Sequence, residues 1–174
     1  NLMIHGNVGT GQTFSDSSPS KHTITAGGSA THSSTQSKFN GGSIYFDGSG
    51  DFLKTESNSV WVFDGDFTVD LWVYPQKTSG GGNLVGDYYI GGGSTSPDWQ
   101  FIYDGTNQRV NFWRGTSYAT SSSSSVLRDQ WSHVALVRSG SGSNNCKIYV
   151  NGTLDGQGTF TTDVGRGLNL WVGI

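Results

Sequence analysis

The stretch GGSIYFDGSGDFLKTESNSVWVFDGDFTVDLWVYP, Gly41 to Pro75, decides the fold. Near its end Phe67, Val69, Leu71 and Val73 alternate with Thr68, Asp70, Trp72 and Tyr74, the period of a half-buried β-strand. Pro75 stops the run, because proline has no N–H for a ladder. Upstream, SIYFDG and DFLKT read as two further strands. Two acidic, glycine-rich segments lie against these runs: Asp47-Gly48-Ser49-Gly50-Asp51 and Asp64-Gly65-Asp66. Asp and Gly are what tight turns demand, so both read first as turns, the former as a hairpin. Their oxygens are also the donors that calcium takes, which makes Asp47 and Asp51 the candidate metal ligands. An EF-hand is excluded, since the sixth position of such a loop is Phe52 and the twelfth is Asn58.

The same pattern repeats outward from this stretch. KHTITAGG, NLVGDYYI, DWQFIYDG, RVNFWRG, SVLRDQWSHVALVRSG, CKIYVNG and LNLWVGI read as strands separated by Gly, Ser and Asn clusters. YVNGTL carries an Asn-Gly hairpin turn, and DGTNQR marks a second hairpin. Residues 1–40 are polar and read as a winding arm with one or two edge strands. GNVGTG, Gly6 to Gly11, lacks the Lys-Ser/Thr of a phosphate loop and any strand–helix context, and reads as a turn.

Composition agrees with an all-β chain. The 174 residues include 27 glycines, and 13% aromatic residues supply large areas to bury, so one domain with a sizeable core is expected. Lys and Arg are scattered singly and net charge is −3, which argues against nucleic acid as a partner. The longest apolar runs are far too short to span a bilayer as a helix, so no membrane partner is expected. Cys146 is the one cysteine, so the fold stands without an internal disulfide, as suits assembly in a reducing cytoplasm in a bacterium or virus.

Catalytic patterns are missing. Retaining glycosidases need two carboxylates about 5–5.5 Å apart. The strand best suited to such a pair offers only Asp70 on its polar face, and the one Glu is Glu56, in a turn. No Ser sits in a G-x-S-x-G elbow beside Asp129 and His133. His133 reads as a strand histidine satisfied by a neighbour. What remains is a surplus of aromatic residues beside Asn, Asp and Gln: Asp70 with Trp72, then Trp113 and Trp171 on the polar faces of later strands. Such surfaces suit sugars, whose C–H faces stack on rings while their hydroxyls bond amides and carboxylates.

SKFNGGSIYFDGSGDFLKT, DGDFTVDLWVYP, WSHVALVRSG and KIYVNGTLDG, in this order, resemble the concanavalin A-like lectin and laminin G-like domain family, in particular its bacterial and bacteriophage branch. The resemblance runs from about Phe14 to the end of the chain. It implies an antiparallel jelly-roll β-sandwich with one curved sheet, whose concave face would bear Asp70, Trp72, Trp113 or Trp171. Members of the family commonly bind glycans, and many hold calcium at a rim, which strengthens the reading of Asp47 and Asp51. Enzymes of this fold carry a glutamate pair on the concave strand, and that pair is lacking here.

The expectation is therefore a non-enzymatic glycan-binding module on a virion or extracellular surface. Its partners would be a glycan or cell-surface polysaccharide and neighbouring virion or surface-protein chains, and the fold allows a homo-oligomer. A purely structural decoration domain is the alternative, and a glycoside hydrolase comes third. The chain stops inside the alternating run LNLWVGI. That predicts one domain, 1–174, whose closing strand lies beyond Ile174 or comes from another chain.

Overall fold

The computed structural model describes residues 1–6, 10–39, 41–87, 98–115, 117–161, 163–165 and 167–173. The strands are β1 (Ile24–Gly27), β2 (Thr31–Ser33), β3 (Ser43–Tyr45), β4 (Phe52–Thr55), β5 (Phe67–Val73), β6 (Gly81–Asp87), β7 (Trp99–Asp104), β8 (Arg109–Arg114), β9 (Ser117–Thr120), β10 (Ser132–Arg138), β11 (Cys146–Val150), β12 (Thr153–Gly158) and β13 (Leu170–Val172). Among the described residues one 3₁₀ turn spans Ser59–Trp61. The expected strand tail Tyr88–Ile90 and the centre of GNVGTG lie outside the described residues.

The strands form an antiparallel β-sandwich. One sheet runs β1-β4-β13-β6-β7-β8-β9, the other runs β12-β11-β10-β5, and β2 and β3 pair by themselves. Val73, Val134, Leu136, Ile148 and Val150 of the smaller sheet meet Val85, Phe101, Val110 and Phe112 of the larger one in a single core. Burial of these side chains is the main stabilising term, about 1.5–3 kcal/mol for each large one. A second, smaller core gathers Phe14, Ala30 and Leu53, with Ile4, Ile24, Ile44 and Phe46 packed on it, and ties the N-terminal arm to the sandwich.

Local chemistry explains the turns. Asn151 and Gly152 have φ of 50° and 82°, as a two-residue type I′ hairpin requires, and they join β11 to β12. Between β7 and β8, Asp104 accepts the N–H groups of Thr106 and Asn107 and the Asn107 amide. Cys146 is fully buried, and burial pushes its thiol up to about 12, which leaves it an inert core residue.

One expectation changes. Asp47–Asp51 is not a hairpin: β3 pairs back to β2, and β4 pairs with β1 and β13, so this turn carries the chain from one sheet to another. β13 is paired on both sides, Trp171 lying between Lys54 of β4 and Gly86 of β6. A short strand that the sequence reading did not single out, β9, forms the edge beside β8.

Candidate functional site

β5 places its polar side chains on the outward face of the smaller sheet. In register, Trp72 faces His133 of β10 and Asp70 faces Ala135. His133 Nε2 lies 3.1 Å from Asp70 Oδ2. The backbone around His133 is fixed by the β11–β12 hairpin: its N–H donates to Asn151 Oδ1 at 2.9 Å, and its carbonyl accepts the Asn151 N–H at 2.8 Å. The histidine is thus satisfied by a neighbour, as its alternation suggests, and the Asp70 carboxylate stays exposed beside it.

Trp72 is the centre of the patch. The residue is 38% exposed, and its ring lies 5.3 Å from the His133 ring, centroid to centroid. The loop between β2 and β3 reaches over it: Lys38 Nζ stands 4.3 Å from the ring centroid, and Phe39 meets it edge-on at 5.5 Å. Phe39 is itself 52% exposed. An ammonium over an indole face is a favourable cation–π pair, worth about 0.5–1 kcal/mol at an exposed site. The result is one surface with two aromatic rings, a cation, a carboxylate and an imidazole. Sequence reasoning missed Lys38 and Phe39, whose signal was an aromatic residue set alone in a Ser/Thr/Gln-rich arm.

Trp113 and Trp171 belong elsewhere. The register Lys54–Trp171–Gly86–Gln100–Trp113–Tyr118 runs across the larger sheet on the face opposite to the core residues Leu53, Val85, Phe101 and Phe112. The outward faces of the two sheets point away from each other, so one ligand cannot touch Trp72 and Trp113 together. Trp171 is only 4% exposed, tilted against Phe52 at 4.6 Å with Lys54 Nζ 5.3 Å from its ring. It offers no ring face to a sugar. Strand order across a sheet is a long-range property, and alternation within one strand does not reveal it.

Asp47 and Asp51 answer the question raised by their turn. Asp51 is 2% exposed and spends its carboxylate on backbone: Oδ1 accepts the Ser29 N–H, and Oδ2 accepts the Asp47 N–H at 2.7 Å. Asp47 Oδ1 accepts the Ser49 N–H at 2.7 Å. These bonds shape the turn and pin it to the arm. Calcium needs six to eight oxygens converging on one point, whereas these carboxylates are directed at backbone N–H groups. Among the described residues no group of three or more His, Cys, Asp or Glu side chains is placed to hold a metal. As placed among the described residues, Asp47 and Asp51 do not fit a calcium site.

A family model described as the concanavalin A-like lectin/glucanases superfamily matches residues 46–173. No curated protein matches the chain in sequence. Among solved structures, the receptor binding domain of botulinum neurotoxin D is similar, with a TM-score of 0.58 and 13% identity over 94% of this chain and 46% of that one. The binding domain of botulinum neurotoxin DC in complex with SialylT has a TM-score of 0.54 and 13% identity, over 94% of this chain and 44% of that one. The chain thus spans less than half the length of these structures, and at this identity the likeness is one of fold.

Proposed function

Because the chain belongs to the concanavalin A-like lectin/glucanases superfamily, we propose that it is a non-enzymatic carbohydrate-binding module that works through the Trp72 face. The observation that carries this reading is the exposed Trp72 ring set among Asp70, His133 and Lys38 on an outward sheet face. A pyranose would lay its C–H face on one ring of the perpendicular pair Trp72 and Phe39 and meet the other along its edge. Its hydroxyls would donate to the Asp70 carboxylate and accept from His133 and the Lys38 ammonium. Lys38 lets the same surface take an anionic sugar, in keeping with the SialylT complex of a fold neighbour. Hydrolysis has no support here: the partner of Asp70 is a histidine, and its cross-strand neighbour is Ala135 rather than a second acid.

In this reading the module is an adhesion domain on a virion or bacterial surface, and the fold, standing without a cystine, suits assembly in a reducing cytoplasm. The alternative, a purely structural decoration domain, draws support from Tyr118, 61% exposed on the edge strand β9, where a neighbouring chain could pair. A glycan array separates the two. The wild-type chain should bind a subset of glycans, and Trp72→Ala should bind them about tenfold more weakly, equivalent to about 1.4 kcal/mol. With its side chain partly in solvent, Trp72 can be replaced with a stability change of about 1 kcal/mol, measurable as a small melting shift. No binding to any glycan, or equal binding by the variant, would overturn the proposal.

A further inference from the structure

The loop that covers Trp72 also contributes to a groove of about 450 Å³, lined by Ser33, Thr35, Gln36, Ser43, Tyr45 and Gln76. It falls in the size range of small-molecule sites. Its elements come from three places in the chain: the β2–β3 pair, the loop between these strands, and the segment just past Pro75 that ends β5. Ile44 turns inward to the smaller core, which leaves Tyr45 pointing outward, 46% exposed.

No lining side chain is charged. Among the described residues, the amides of Gln36 and Gln76 and the hydroxyls of Ser43 and Tyr45 make no hydrogen bond to protein. Two free amides and two free hydroxyls around an open tyrosine ring match a neutral sugar residue, which presents a C–H face and a rim of hydroxyls that both donate and accept. An anion would find no cation here. The loop is shared: it brings Gln36 to the groove and Lys38 and Phe39 to Trp72.

We infer that this groove is a second saccharide subsite, selective for a neutral sugar residue of the same glycan that meets the Trp72 face. The inference rests on the carbohydrate reading proposed above and adds a site and a ligand class to it. The test is NMR titration of the ¹⁵N-labelled chain with lactose, maltose and cellobiose, and with 3′-sialyllactose as the charged comparator. The side-chain amide signals of Gln36 and Gln76 are expected to move with at least one neutral disaccharide. Tyr45→Ala and Gln76→Ala should each raise its Kd at least fivefold. Amide signals that stay still with every neutral disaccharide, or move only with 3′-sialyllactose, overturn the inference. So does array binding that Trp72→Ala weakens and Tyr45→Ala leaves unchanged, in which case the Trp72 face stands alone. Gln36 and Gln76 shifts joined to array binding that Trp72→Ala leaves unchanged support the groove and count against the Trp72 face. A chain that binds no array glycan and shows no shift sinks both.

Discussion

Replacing Asp16 with alanine is expected to destabilise the chain by about 4 kcal/mol, a fall in Tm of about 8–16 °C. Asp16 is 4% exposed and gathers the N-terminal arm around one carboxylate. Oδ1 accepts the N–H groups of Met3 at 2.9 Å and Ser18 at 2.8 Å. Oδ2 accepts the Ser18 hydroxyl at 2.8 Å and the His22 N–H at 2.9 Å. Alanine would leave three backbone donors without their acceptor, and buried donors left unpaired cost about 1–3 kcal/mol each, less whatever water recovers.

A pH dependence follows from the same contacts. Burial alone would raise the Asp16 pKa, but the bonds from Met3, Ser18 and His22 together outweigh it and hold the carboxyl well below its ordinary value of 3.8. The folded pKa is the lower one, so the contribution is full above the unfolded value and is lost as pH falls below about 4 toward the folded value. Melting followed from pH 7 to pH 2 should show wild type losing stability in that acid range. Asp16→Asn, starting lower, should lose less of it. Parallel pH curves for the two would show that Asp16 is not the hub described.

Gly158→Ala is expected to have a larger effect, above about 4 kcal/mol, the range in which a single change signals a specific steric failure. β12 and β9 are the edges of opposite sheets, and they close one side of the sandwich by direct backbone approach. A methyl on Gly158 would sit well inside contact distance of the Tyr118 carbonyl oxygen, and one on Gly156 would do the same at the Thr120 carbonyl. Carbon and carbonyl oxygen ordinarily approach to about 3.3–3.6 Å, so one of the edges must move outward. Phe160, buried and packed on Phe112 at 4.7 Å, lies beside the same seam and would be displaced with it. Gly142 has open space around it, and Gly142→Ala should melt within about 0.5 kcal/mol of wild type. Similar melting of the two variants would contradict this account of how the sandwich closes.

Local pattern carried much of this fold. The alternation from Phe67 to Val73 shows the inward and outward sets of β5 directly, and Asn151-Gly152 marks its hairpin, because both depend on residues next to one another. The errors share one cause. Asp47–Asp51 looked like a hairpin because two strands flank it, yet those strands pair with partners elsewhere. Trp113 and Trp171 looked like companions of Trp72 because each is the outward aromatic of its strand. Which sheet a strand joins depends on pairings such as Trp171 with Lys54, more than a hundred residues away in sequence. The same holds for the patch and the groove: Lys38 lies over Trp72, and Gln76 and Gln36 line one groove, by tertiary packing alone.

The central claim is that glycan meets the β5 face of the smaller sheet, and the indole N–H signals of the tryptophans test it most directly. The ¹⁵N-labelled chain would be titrated with the strongest glycan from the array, each indole signal being assigned by a Trp→Phe variant. The account predicts that the Trp72 signal moves in a saturable way, while those of the buried Trp99 and Trp171 do not. A Trp72 signal that stays still while Trp113, on the opposite sheet, responds would contradict it.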